Sequence, residues 1–176
     1  MVYMHIYNVK TLSVSHATVI ISVAYDDFTH HFESLTGQFD EARIRSVSTE
    51  DIAGEIAKME GEEGFMIFGK QKHGALFPVS EERKKACRYY IGNPLILSSM
   101  NQYDIRAGLS APLTVLMYEV DKSALAVEFD LPTSIFGSYN VPEITVVGEV
   151  LHARLLRLID KTTKQVKQSR SSKTMH

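Results

Sequence analysis

Most of the side chains that could do chemistry in this chain sit in one loop, one turn and a scatter of tyrosines. In residues 69–74 (GKQKHG), Lys70 and His73 lie in a locally cationic stretch. Positive neighbours disfavour an imidazolium, so His73 is expected to stay neutral and serve as a base, with Lys70 binding or polarising a ligand oxygen. Asp130, just before Leu131 and Pro132, is a second candidate catalytic carboxylate. Tyr90, Tyr118 and Asn93 would hold a ligand oxygen in a cavity otherwise lined by Met66, Leu95, Met100, Leu116 and Met117, of which Met100 is taken as a binding residue. Polarisable methionines around a few polar points are the composition of a small-molecule site. Each residue also has a plainer reading. A GKQKHG loop is ordinarily an exposed turn, Asp130 can cap the turn before Thr133 and Ser134, and tyrosines can pack with their hydroxyls at the surface.

Other chemistries find less support. Asp26 with His30 and Asp27 with His31 are each four apart, the spacing that puts two metal ligands on one helical face. A third ligand is lacking, and an acidic helix start with solvated imidazoles accounts for both pairs, so no metal is expected. Cys87 is the sole cysteine and cannot form an internal disulfide or a thiolate cluster; its setting suggests a buried apolar role in a reducing compartment. There is no P-loop, dinucleotide fingerprint, GxSxG elbow, HExxH or paired CxxC, so no cofactor is expected. The 19 basic and 21 acidic residues leave a net charge of −2, and tryptophan is absent, which argues against a nucleic-acid platform. No run approaches the roughly 18–20 apolar residues of a membrane helix, and no secretory leader is evident. A soluble, cytoplasmic protein is the expectation.

These groups must be held by elements that hydropathy patterning predicts. Residues 2–9 and 17–25 are rich in β-branched and aromatic side chains and read as strands. Phe28, His31, Phe32 and Leu35 mark one face of a helix opened by acidic residues, and Ile52, Ile56 and Met59 mark another over residues 48–59. A short strand follows at 65–68, then a charged loop at 81–85 and a strand at 87–91. Alternation sends Tyr89 and Tyr90 to opposite faces, so one of them must point to the core or a pocket. Asn93 and Pro94 open a helix to Tyr103, residues 113–120 and 124–129 form a hairpin, and leucines at helical spacing run to about Asp160. The remaining residues, 161–176, read as a polar tail beyond a single domain of 1–160. The order fits an α+β fold: a mixed or antiparallel sheet with helices packed mainly on one face.

The succession RYYIGNPLILSSM, APLTVLMYEV, AVEFDLPTSIF and VVGEVLHARLLRLI resembles domain-of-unknown-function family 302 (DUF302), best over residues 87–159. The matching positions are Asn93, Pro94, Pro112, Tyr118, Glu119, Asp130 and Pro132. Many members of that family carry cysteines where this chain has Gly92 and Leu113, so a thiol or metal role does not transfer. The resemblance implies a compact α+β fold, a homodimer, and a cavity of unassigned use.

Two functions from different classes follow as expectations. The first is a cofactor-independent protein binding a hydrophobic or aromatic metabolite between the sheet and the terminal helix. It could catalyse a proton transfer such as isomerisation, dehydration or cyclisation, with His73 or Asp130 as base. The second is a non-catalytic dimeric scaffold whose exposed apolar surface is an interface.

Overall fold

In the computed structural model of the protein, residues 7–76 and 85–174 are described. Residues 2–6 of the first expected strand and 81–84 of the charged loop lie outside that range, and Tyr7–Val9 carry no regular structure. The chain runs β1 (His16–Ile21), α1 (Tyr25–Leu35), β2 (Gly37–Gln38), α2 (Glu41–Arg45), α3 (Ile52–Met59), β3 (Met66–Lys72) and α4 (His73–Leu76). It continues with β4 (Ala86–Gly92), α5 (Pro94–Asn101), β5 (Leu113–Asp121), β6 (Ala124–Asp130), α6 (Pro132–Gly137) and α7 (Pro142–Thr174).

The strands form one six-stranded mixed sheet in the order β1-β6-β5-β4-β3-β2, antiparallel except for the short β2–β3 pair. This is the α+β architecture read from the sequence. Strand alternation decides the layers. Cys87, Tyr89 and Ile91 of β4, Leu113, Val115 and Met117 of β5, and Leu125, Val127 and Phe129 of β6 are all buried toward the helices. Phe28 and Phe32 of α1 and Ile144, Leu151, Leu155 and Leu158 of α7 close that core from above. A smaller cluster of Ile56, Met59 and Met66 fills the β2–β3 end.

Three local expectations change. Strand β3 runs on through Gly69 to Lys72, with a register shift between Ile67 and Gly69, so most of GKQKHG is strand rather than loop. The polar residues there sit on a strand that one face leaves in water, a pattern that hydropathy alone does not distinguish from a turn. Helix α1 has no side-chain cap; Asp26 and Asp27 reach out to Lys85 and Arg170 instead. Helix α7 passes Asp160 and continues to Thr174, with Thr162 and Val166 buried and Arg170 Nη2 2.8 Å from Asp27. The polar run is helical because its inner stripe packs on α1.

One close approach fixes the corner before the sheet. A Cβ on Gly37 would lie 1.9 Å from Met59 O, and one on Gly61 would lie 2.1 Å from Gly37 N. The two backbones touch, so only glycine fits at either place.

Candidate functional site

Helix α1 turns Tyr25, Asp26, Thr29 and Glu33 toward the sheet, positions one, four and eight residues along and therefore on one flank. Strand β3 faces them with Lys70 and Lys72, two apart and so on the same side, and β4 adds Cys87 and Tyr89 by the same alternation. Between these walls lies a cleft of about 350 Å³, which Gly74 and Lys85 also line.

Its centre is a chain of three groups. The Tyr89 hydroxyl donates to Glu33 Oε1 at 2.8 Å, and Lys70 Nζ donates to Glu33 Oε2 at 2.7 Å. The Tyr89 ring is 1% exposed and meets Phe32 edge-on at 5.4 Å between centroids, so packing fixes the phenol's position. Burial, with the adjacent Glu33 carboxylate, pushes the Tyr89 hydroxyl far above its ordinary range, and it stays a proton donor. Burial acts to raise Glu33, but the Lys70 and Tyr89 hydrogen bonds outweigh it and hold the carboxyl below its usual value. Desolvation also raises the Cys87 thiol and the Tyr25 phenol, leaving both uncharged in the floor. Lys85 pairs with Asp26 across the far end.

The residues singled out from sequence fall in separate places. Lys70 is in the cleft, and His73 opens α4 one residue before Gly74 at its edge. Tyr90 is on the open side of the sheet, where its hydroxyl donates to Gln71 Oε1 at 3.1 Å and Arg88 lies over its ring. Tyr89, not Tyr90, is the inward member of the pair, because Cys87, Tyr89 and Ile91 share the core parity. Tyr118 is also on the open side and donates to Glu128 Oε1 at 2.7 Å. There His16 bridges β1 to β6, with Nε2 3.2 Å from Glu128 and Nδ1 2.9 Å from Asp130. Asp130 in turn borders a different depression of about 290 Å³ beside Leu12, Val14, Leu109 and Ile135.

Asn93 is the cap of α5: its Oδ1 accepts from Leu95 N, and its Nδ2 donates to Glu60 and to Gly64 O. Met100 is 1% exposed, in the core. The space beneath α7 and α5 is filled, with an apolar crevice of about 20 Å³ beside Asn93 and Met100, roughly the room of one water. Met66 and Met117 are packing residues too. Sequence reasoning missed Glu33, Lys72 and Thr29. Their signal was present in the polar flank of α1 and the two-residue spacing of the lysines. Among the described residues no group of three or more histidine, cysteine, aspartate or glutamate side chains is placed to hold a metal ion. The Asp26 and Asp27 carboxylates are committed to Lys85 and Arg170. No described helix is long and apolar enough to cross a membrane.

An antiparallel-dominated sheet covered by a long C-terminal helix, with a polar cleft at the α1 edge, defines an α+β single-domain protein. Residues 41–162 match the model of the domain of unknown function DUF302, more than half of the chain, and the chain belongs to that family. Among solved structures it is similar to an uncharacterised conserved DUF302 protein from Bacillus stearothermophilus, at 14% identity and a TM-score of 0.59, covering 84% of this chain and 97% of that one. A norcoclaurine synthase from Thalictrum also aligns, at 13% identity over 93% of this chain and 99% of that one, but with a TM-score of 0.33. No curated protein matches.

Proposed function

We propose that the protein binds a small organic molecule in the cleft between α1 and the β3–β4 edge. The observation that carries this reading is the Tyr89–Glu33–Lys70 chain, a set of polar groups held rigid by a buried aromatic ring beside an open volume of about 350 Å³. That volume lies within the range of small-molecule sites, whose walls are mostly apolar with a few oriented polar groups. Tyr25, Ala86 and Cys87 supply an apolar floor for a hydrophobic or aromatic body. Binding is favoured over proton abstraction, because the ion pair that fixes Glu33 also lowers its basicity. His73 and Asp130 are not needed as bases in this reading. It takes the protein to act in the cytoplasm, where an unpaired buried thiol such as Cys87 stays reduced.

Screening a metabolite library by thermal shift, followed by 1H–15N spectra of the hits, tests the reading. Binding should shift amides of α1, β3 and β4. Hits that shift only the open side of the sheet, or an absence of hits, would overturn it. The scaffold reading retains one observation in its favour: Ile20 is 60% exposed on the open side, near Leu116 and Tyr118. A homodimer built on that face should dissociate on Ile20→Lys, read by analytical ultracentrifugation.

A further inference from the structure

We infer that the ligand of this cleft is a carboxylate, a compact apolar body bearing a single negative charge that seats on Lys72. The inference rests on the binding proposal above and narrows it to a substrate class.

The charges of the cleft do not cancel. Among the described residues, Lys70, Lys72 and Lys85 line it together with two carboxylates, Glu33 and Asp26. Lys70 is taken by Glu33 and Lys85 by Asp26, each pair running from the sheet side to α1. Lys72 belongs to none of the ion pairs formed among the described residues. Its charge is nevertheless felt by both Glu33 and Cys87, which puts the ammonium within electrostatic reach of the cleft interior. Among the described residues the surplus is therefore one positive charge at a known strand position.

Two of the neutral hydroxyls are already committed. The Tyr89 hydroxyl is spent on Glu33, and the Thr29 hydroxyl donates to the carbonyls of Tyr25 and Asp26 in its own helix. The Tyr25 hydroxyl remains a neutral donor, so Lys72 is the lining cation that no carboxylate among the described residues neutralises, and an anionic acceptor adds a Coulomb attraction that a neutral one lacks. A cationic guest would meet three ammonium groups, and a dianion would overshoot the surplus. The Tyr25, Ala86 and Cys87 floor selects against a bare inorganic ion, which has no apolar body to bury.

The test uses matched probes on the full chain: benzoate, phenylacetate, 3-phenylpropionate and hexanoate, their primary amides, and inorganic phosphate, titrated into 15N-labelled protein. Carboxylates should move cleft backbone amides, and the primary amides and phosphate should bind about threefold to fivefold more weakly, the worth of an ion pair to an exposed lysine. Lys72→Gln should abolish that preference and Lys72→Arg should keep it. Lys72 is exposed, so neither variant threatens the fold. If amides bind as well as carboxylates, or Lys72→Gln leaves the preference intact, the charge assignment fails while the binding site stands. If phosphate alone binds, the apolar body is refuted. If no probe moves a cleft amide, both the assignment and the site are refuted.

Discussion

The protein builds the same trio twice, once on each side of its sheet, and the two copies do different work. In the cleft a phenol, Tyr89, donates to a carboxylate, Glu33, that also meets a cation, Lys70. On the open side Tyr118 donates to Glu128, which also meets His16. The two carboxylates are similarly exposed, Glu33 at 33% and Glu128 at 25%, yet the Tyr89 phenol is buried behind α1 whereas Tyr118 is half-exposed. A hydrogen-bonded carboxylate therefore marks a site only when apolar packing fixes its phenol partner and leaves a volume beside it. Without that packing it is a surface clamp between strands, worth little against water.

Four measurements can break this comparison. Tyr89→Ala should destabilise the protein by about 3–5 kcal/mol in urea unfolding, because it empties a packed aromatic site, while Tyr118→Ala should cost under about 1 kcal/mol. Equal losses would abolish the distinction. Tyr89→Phe isolates the hydroxyl and should cost about 1–2 kcal/mol, against a few tenths for Tyr118→Phe, since the Tyr89 phenol is fully buried and Tyr118 is half-exposed to water that can replace its hydrogen bond.

The third measurement separates the copies by pH. The Glu33 carboxyl is held low in the folded state, so the unfolded chain binds its proton first. The stability Glu33 contributes is present above its unfolded pKa of about 4.5 and is lost as pH falls through the lower folded value. Glu33→Gln should flatten that acid limb. His16 behaves oppositely, its pKa being raised by hydrogen bonds to Asp130 and then Glu128. Its contribution is complete below the unfolded value of 6.5 and disappears as pH rises through the higher folded one, so His16→Gln should flatten the stability profile above 6.5. Unfolding midpoints across pH 3–9 or so read both limbs. The smallest effect is expected for Lys85→Ala, whose exposed pair with Asp26 should leave the midpoint within error.

Much of the frame was legible in the residues because local and global signals agreed. Asn93 and Pro94 are a cap and a first-turn proline in the structure as in the sequence, and the β5–β6 hairpin and the start of α7 follow their hydropathy periods. What escaped reading depends on contacts distant in sequence. The end of α7 looks like a solvated tail until Val166 and Arg170 meet α1, far back in the chain. The parity of Tyr89 and Tyr90 is invisible without the register of β4 against β3 and β5. The methionines suggested a lined cavity, but Met66, Met100 and Met117 fill the core itself, as flexible thioethers commonly do. Glu33 could be recognised only after Lys70 and Tyr89 were seen to converge on it from two strands.

The family match begins at residue 41, so the helix bearing Asp26, Thr29 and Glu33 precedes it, while Lys70, Lys72, Cys87 and Tyr89 fall inside it. The matched segment thus carries one wall of the cleft and not the other. A grafted helix that keeps Phe28 and Phe32 for docking and Asp27 for anchorage would re-address the recess to a new guest without a single change to the strands beneath.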